Sequence, residues 1–135
     1  MPNELLHVVR RLLDVFDEQD FAASAEMFSA DAQGIDEISR RWMRSGAEID
    51  AYFKRLGPML TAVHTELIDM TEVVWEDTGI VTCWLEQDYV LDGKPDHVSA
   101  PTTFVLHREG GEWKVALVHS VPLQRPIIAA LQHYQ

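Results

Sequence analysis

The chain has little cysteine and no long apolar run. Cys83 is the only cysteine among its 135 residues, so an intramolecular disulfide is excluded, which is typical of a reducing compartment. No apolar run reaches the roughly 18 residues that a membrane-spanning helix needs. The first residues lack a basic region ahead of an apolar stretch, so the sequence gives no sign of a secretory signal. We therefore expect a cytoplasmic protein.

Basic residues are also scarce. The chain has 11 lysine and arginine residues against 22 aspartate and glutamate residues, a formal net charge of −11. Such a surface repels phosphate backbones and anionic lipid, so we expect neither a nucleic-acid partner nor a membrane partner. The acidic residues are spread along the chain rather than gathered in a tail, a pattern typical of a surface that keeps a protein soluble.

Several motifs that carry chemistry are missing. The sequence has no glycine-rich phosphate loop, Cys-x-x-Cys pair, His-Glu-x-x-His helix or Gly-x-Ser-x-Gly turn. The six histidines show no metal-ligand spacing, so we expect neither a metal nor a cofactor. Cys83 lies between Thr82 and Trp84 in a strand-like run, which favours a buried, inert thiol over a nucleophile.

The first part of the chain has the pattern of three helices. Leu5, Val9, Leu12 and Phe16 recur at helical steps behind Asn3, a plausible cap. Asp20 is placed to cap a short second helix. Ser45-Gly46-Ala47-Glu48 fits a capping box for a third helix, which Gly57-Pro58 should end. The segment 32–44 between the second and third helices lacks helical periodicity and predicts a short strand or hairpin.

The second part predicts four strands, near 63–76, 80–91, 97–108 and 112–121. Turn signals at Asp77-Thr78-Gly79, Asp92-Gly93 and Gly110-Gly111 make neighbouring strands antiparallel. Pro101 inside one run indicates a bulge or an edge position. We therefore expect one α+β domain over residues 1–135, with a curved antiparallel β-sheet wrapped around three N-terminal helices and a cone-shaped interior. Residues 124–135 would form a tail with a short helix starting at Pro126.

Asp36 is the first candidate for chemistry, because it lies among the apolar residues Ile35 and Ile38. A carboxylate in such surroundings has a raised pKa and can act as a base near neutral pH. The alternative is an ordinary aspartate in a solvated turn.

Two strands supply further candidates through their alternation. Leu85, Gln87 and Tyr89 share one face of their strand, which we take as the inward face. Gln87 and Tyr89 would then hydrogen-bond a ligand, or other protein groups would satisfy them in the core. The last strand carries Ala116, Val118 and Ser120 on one face and Trp113, Val115, Leu117 and His119 on the other. Burial of both faces would require a second layer, which points to another subunit.

Three segments resemble one protein family over nearly the whole chain. Met27-Phe28-Ser29-Ala30-Asp31-Ala32, the stretch from Trp42 to Ser45-Gly46, and Trp113-Lys114-Val115 with His119-Ser120-Val121-Pro122 resemble segments of the nuclear transport factor 2-like superfamily. That superfamily includes ketosteroid isomerases and SnoaL-like polyketide cyclases. The resemblance implies a pocket for a small apolar molecule, enclosed by the helices and the sheet.

The resemblance also assigns roles to individual residues. Asp36 falls on the aspartate that moves the proton in ketosteroid isomerases. The helix-one tyrosine of those enzymes falls on Leu12, which has no donor, and the second acid falls near Thr103. Since an enolate would lack its main stabilisation there, steroid isomerisation is disfavoured. The resemblance further places Ala116, Val118 and Ser120 at the cavity.

Two functions remain open from the sequence. The first is a cofactor-free isomerase, cyclase or hydrolase acting on an apolar carbonyl or epoxide compound, with Asp36 as general base. In that case Tyr89, Gln87 and Thr103 would orient the substrate oxygen, and Trp42 would wall the pocket. The second is a non-catalytic ligand-binding or assembly module. Both predict a homodimer through the outer sheet face, with Trp84, Leu117 and His119 as contacts.

Overall fold

The computed structural model of the protein describes residues 3–123. Three helices, α1 (Glu4–Asp17), α2 (Phe21–Glu26) and α3 (Gly46–Leu56), accompany one five-stranded sheet. The strands are β1 (Phe28–Ile35), β2 (Leu60–Trp75), β3 (Thr78–Leu91), β4 (Lys94–Glu109) and β5 (Glu112–Ser120). The α+β class is therefore confirmed, whereas the predicted tail at 124–135 lies outside the described residues.

The sheet has the strand order β1-β5-β4-β3-β2. Strands β2 to β5 form the predicted antiparallel meander. Strand β1 comes between α2 and α3 in the chain and pairs parallel with β5, so the sheet is mixed rather than wholly antiparallel. A hairpin turn cannot join two parallel strands. The chain between β1 and β5 instead contains α3 and strands β2 to β4.

Backbone conformation explains the turns. Asp92 and Gly93 have φ of 52° and 79°, and Gly110 and Gly111 have φ of 56° and 84°, as tight hairpin turns require. The first turn differs from the prediction, because β3 already begins at Thr78 and the turn falls on Glu76-Asp77.

Capping fixes two of the three helix starts as predicted. The side chain of Asp20 accepts from the backbone N–H of Ala23, and that of Ser45 accepts from the N–H of Glu48, both at 3.1 Å. The Glu48 carboxylate accepts from the N–H of Arg44, one residue earlier than a capping box predicts. Asn3 has a left-handed φ of 67° and makes no side-chain cap bond, so the predicted cap of α1 was wrong.

Alternation decides which residues of the sheet face the helices. Leu85, Gln87 and Tyr89 of β3 are buried, as predicted. On β4 the buried residues include Thr102 and Phe104, so the intervening Thr103 points to the other face. Placing Thr103 at the cavity was therefore an error of strand parity.

A register shift changes the pattern of β5. Val105 pairs with Leu117, whereas Leu106 pairs with Val115. Ala116 is thus left out of the ladder and is only half-buried. The prediction that Ala116 faces the cavity was wrong, because the irregularity lets Val115 and Val118 both face the core.

Pro101 occupies a local edge. Strand β5 ends at Ser120, opposite Thr102, so Pro101 pairs with Trp84 of β3 and has no β5 residue beside it. A missing N–H is tolerated at such a position, and the edge alternative is confirmed. Over residues 3–123 no helix combines the length and the apolarity needed to cross a membrane.

Candidate functional site

An apolar cavity lies between α1, α3 and the inner face of the sheet. Its volume, counted as the space that the centre of a water molecule can reach, is about 50 Å³. With its open mouth included, the empty space is about 430 Å³. Aliphatic and aromatic side chains dominate a wall that also holds two carboxyl groups and two hydroxyl groups: Leu12, Leu13, Phe16, Phe28, Asp36, Glu37, Phe53, Leu85, Thr102, Phe104, Val118 and Ser120.

Asp36 is placed at this cavity because β1 ends at the preceding residue. Its Oδ1 accepts from the backbone N–H groups of Ser39 at 2.7 Å and Ile38 at 3.2 Å. The Tyr52 hydroxyl donates to it, at 3.0 Å from Oδ2 and 3.3 Å from Oδ1. Burial raises the pKa of Asp36, and these hydrogen bonds act in the opposite direction. Asp36 is therefore a turn residue, as one alternative held, but its carboxylate lies at an apolar cavity.

Glu37 is the second carboxyl group of the cavity, and the sequence analysis missed it. Glu37 is only 5% exposed to solvent. Burial, and then the charge of Asp36, raise its pKa to about 8, although hydrogen bonding to Gln87 and Ser120 opposes the shift. At neutral pH Glu37 is accordingly a neutral acid beside an aspartate. Its position after Asp36 was the available signal, but strand alternation would have placed neighbouring residues on opposite sides.

Tyr52 is the other functional residue that the sequence analysis missed. It lies on the buried face of α3 with Ile49, Phe53 and Leu56, and that spacing was visible in the sequence. Burial and the nearby charges of Asp36 and Glu37 raise the pKa of the Tyr52 hydroxyl. The phenol therefore stays protonated and acts as a donor to Asp36.

One hydrogen-bond chain runs from α1 to Gln87. The Asp17 carboxylate accepts from the Thr65 hydroxyl at 2.7 Å and from the Thr65 N–H at 2.8 Å. The same hydroxyl oxygen accepts from Nε2 of Gln87 at 2.9 Å. The Gln87 side chain is fully buried, and its Oε1 has no hydrogen-bond partner among the described residues. Gln87 is therefore inward, as predicted, but it is not among the residues that line the cavity.

A second chain ends at Ser120. The Thr102 hydroxyl donates to the carbonyl oxygen of Ala100 at 3.1 Å, and its oxygen lies 2.8 Å from the Ser120 hydroxyl. Both side chains are buried and line the cavity. Ser120, Val118 and Leu85 thus lie where the sequence analysis placed them.

Two other predicted residues lie elsewhere. The Tyr89 hydroxyl donates to Oδ2 of Asp96 at 3.3 Å, so it is directed to a different group from Asp36. Trp42 is 41% exposed, and its ring packs against His119 with ring centres 5.7 Å apart. Trp42 therefore does not wall the cavity. Trp42 directly precedes Met43, which forms an isolated antiparallel bridge to Gly34 of the edge strand β1.

Within residues 3–123, no group of three or more His, Cys, Asp or Glu side chains is arranged to hold a metal ion. Cys83 is buried, and burial raises the pKa of its thiol to about 11. The predicted burial of Cys83 is confirmed, and the raised pKa disfavours the thiolate, which is the nucleophilic form.

The fold is similar to the folds of several solved protein structures. A ketosteroid isomerase-like protein from Erwinia carotovora atroseptica is similar with a TM-score of 0.75 and 14% identity, over 92% of this chain and 99% of that chain. An NTF2-like protein with a cystatin-like fold from Novosphingobium aromaticivorans gives a TM-score of 0.72 and 16% identity, over 96% and 86% of the two chains. The CaMKII hub of S. rosetta is similar with a TM-score of 0.72 and 22% identity, over 88% of this chain and 94% of that chain.

At these identities the structural likeness shows the fold alone. The sequence matches no curated protein. A family model for the SnoaL-like domain, however, matches residues 5–124. That match includes every helix and strand except the first residue of α1. The chain therefore belongs to the SnoaL-like domain family, and its fold is similar to that of NTF2-like proteins.

Proposed function

We propose that the protein catalyses a cofactor-free proton transfer on a small apolar carbonyl or epoxide compound, with Asp36 as general base. The observation that carries this proposal is the Asp36 carboxylate at an apolar cavity, held by Tyr52, Ile38 and Ser39. Two backbone N–H groups occupy Oδ1, whereas the contact to Oδ2 is that of Tyr52. Oδ2 therefore has a lone pair left to accept a proton from a substrate carbon.

The size of the cavity limits the substrate. An engineered apolar cavity of about 150 Å³ binds benzene, and the cavity beside Asp36 has only about 50 Å³. The reacting part of the substrate should then be a few carbon atoms wide, with any larger part in the mouth. Leu12 stands at the wall in place of a tyrosine donor, which further disfavours steroids.

A thermal-shift screen followed by turnover assays tests this proposal. The compounds should be ketones, aldehydes and epoxides graded from four carbon atoms to steroids and polyketide-like aromatics. We expect a small carbonyl or epoxide compound to stabilise both wild type and Asp36→Asn, and only wild type to convert it. Asp31→Asn, at an exposed site on β1, is the matched control. Equal turnover by Asp36→Asn would rule out the base, and binding without turnover by either protein would leave a ligand-binding module.

A specific feature favours assembly as a second function. On the sheet, Leu117 is half-buried and His119 exposed in the absence of any partner, and His119 packs against Trp42. The fold is also similar to that of the CaMKII hub. A homodimer through this outer face would cover Leu117 and His119 together with Trp84. Light scattering should give twice the mass of 15.4 kDa, and Leu117→Asp should give monomers, whereas a monomeric wild type would contradict the dimer.

A further inference from the structure

An apolar groove opens on the surface between α3, the turn that follows Asp36 and the end of β3. The described residues that line it are all different from those that line the cavity. By the measure used for the cavity, its volume is about 350 Å³. Small-molecule sites usually measure about 300–1,000 Å³. Five apolar or aromatic side chains form most of its wall: Ile38, Tyr52, Leu56, Met59 and Leu91.

The fold holds this wall together at two places. Tyr52 and Leu56 lie one turn apart on the buried face of α3. Met59 follows that helix, and its carbonyl oxygen accepts from the N–H of Asp92 at 2.8 Å. This hydrogen bond keeps the end of β3 beside the end of α3. Met59 is nevertheless 43% exposed, so the groove presents apolar surface to solvent.

Two arginines, Arg41 and Arg55, complete the groove. Neither guanidinium has a hydrogen-bond or ion-pair partner among the described residues. Their neighbours in the chain are engaged: Nε of Arg40 donates to a backbone carbonyl at 3.0 Å, and Lys54 forms a 3.0 Å ion pair with Asp50. The groove therefore combines an apolar wall with two guanidinium groups whose charge is not used by the fold.

The surrounding charge limits what these arginines can bind. Glu48 lines an adjoining hollow with Arg41 and Arg55, but its carboxylate accepts from the backbone N–H of Arg44. The whole chain carries a net charge of −11, so an extended anionic partner such as nucleic acid or an anionic bilayer would be repelled. A small anion that contacts only the groove avoids most of this repulsion.

We propose that the groove binds a small apolar molecule that carries one anionic group, a carboxylate or a phosphate. Arg41 and Arg55 hold the anion, because a guanidinium presents a planar fork of N–H donors that matches the oxygens of either group. The apolar part lies against Leu56, Met59 and Leu91. This binding site is separate from the proposed proton transfer and requires no turnover.

Isothermal titration with octanoate and octyl phosphate tests the class of ligand. We expect both to bind, and octanol, which has the same chain without the charge, to bind about tenfold more weakly. Hexanoate should also bind about tenfold more weakly than octanoate, because it buries fewer CH₂ groups. The tighter anion identifies the ligand as a carboxylate or a phosphate ester. Equal affinities for octanol and octanoate, or no binding of either anion, would overturn the proposal.

Substitution of the arginines tests where the anion is held. Arg41→Gln and Arg55→Gln should each weaken octanoate binding about tenfold. Both residues are exposed, so the variants should remain folded. Lys54→Gln is the matched control, since it removes the same charge from α3 at a residue that does not line the groove. An unchanged affinity in the double arginine variant, or an equal loss in Lys54→Gln, would contradict the site.

Methyl NMR signals locate the apolar part of the ligand. Octanoate should shift the methyl signal of Met59, which lines the groove, and leave those of Leu85, which lines the cavity. Met59→Ser should weaken octanoate binding and leave that of acetate unchanged. A shift of Leu85 without a shift of Met59 would place the ligand in the cavity and overturn the groove as its site.

Discussion

The hydroxyl oxygen of Tyr52 lies 3.0 Å from Oδ2 and 3.3 Å from Oδ1 of Asp36, so one phenol on α3 contacts both carboxylate oxygens at the end of β1. This contact connects the base to α3 as well as to its own turn. It also supplies the negative charge with a donor whose own proton is firmly held.

Tyr52→Phe tests this relationship. Loss of the donor removes one of the hydrogen bonds that lower the pKa of Asp36, so that pKa should rise. The acidic limb of the pH–rate profile should move to higher pH, and the free energy of unfolding should fall by about 1.5–3 kcal/mol. Tyr89→Phe, which removes a hydroxyl bonded to Asp96 instead, is the control. An unmoved acidic limb would mean that Tyr52 does not tune the base.

Stability should depend on pH through Glu37. Its pKa is about 8 in the folded chain against 4.5 for the free side chain. Between these values the folded chain keeps a proton that the unfolded chain releases, so the free energy of unfolding should fall as pH rises. The slope from this group is at most about 1.4 kcal/mol per pH unit. Urea unfolding at pH 5, 7 and 9 would measure it.

Glu37→Gln should remove that slope, because a glutamine cannot titrate. Glu109→Gln, at an exposed site of β4, should keep it. Parallel stability curves for wild type and Glu37→Gln would contradict a raised pKa.

Gly46 should not tolerate a side chain. A Cβ at this position would lie 2.6 Å from the carbonyl oxygen of Ser29 and 3.0 Å from that of Ala30. Gly46→Ala must therefore move the start of α3 away from β1, at a cost of about 1–3 kcal/mol. Gly57→Ala is the control, since its Cβ would meet nothing closer than 3.6 Å. Chemical denaturation of the two variants should separate them, and equal stability would show that α3 can shift freely.

Leu85→Ala should widen the cavity beside Asp36. Leu85 is 1% exposed and lines the wall, so its truncation should cost about 2–5 kcal/mol and let the cavity accept benzene. Benzene should raise the Tm of the variant and shift the carboxyl signal of Glu37. Leu106→Ala, equally buried on β4 but away from the cavity wall, should lose similar stability without that shift. The same Glu37 response in both variants would contradict the location of the cavity.

Local sequence signals were sufficient for most elements of the fold, although β1 spans Phe28–Ile35 and only partly overlaps the predicted segment 32–44. The serine cap of α3 and the turns at Asp92-Gly93 and Gly110-Gly111 depend on residues close in the chain, and all three were predicted. The parallel pairing of β1 with β5 was not, because no local pattern encodes a partner so far along the chain. Thr103 and Ala116 were misplaced for a related reason, since strand parity follows from register.

The candidate site was predicted only in part. Asp36 was found because a carboxylate among apolar neighbours is conspicuous in a sequence. Glu37 was missed because the chain leaves the extended conformation at the turn, where alternation no longer decides direction. Tyr52, which donates a hydrogen bond to Asp36, was missed as a site residue. Its spacing places it on the apolar face of α3, and only folding brings it into contact with the turn at Asp36.

The parallel pairing of β1 with β5 also bears on how fast the site forms. Strands β2 to β5 are joined by short turns, whereas the Ser29 hydroxyl reaches the carbonyl oxygen of Val115 across 86 positions of the chain. Closing a longer loop costs more conformational entropy, and folding rates fall as contacts become more distant in sequence. The meander should therefore assemble early and β1 dock late. Asp36 and Glu37 follow β1 directly, so the acid and the base would meet their cavity only in the last step of folding.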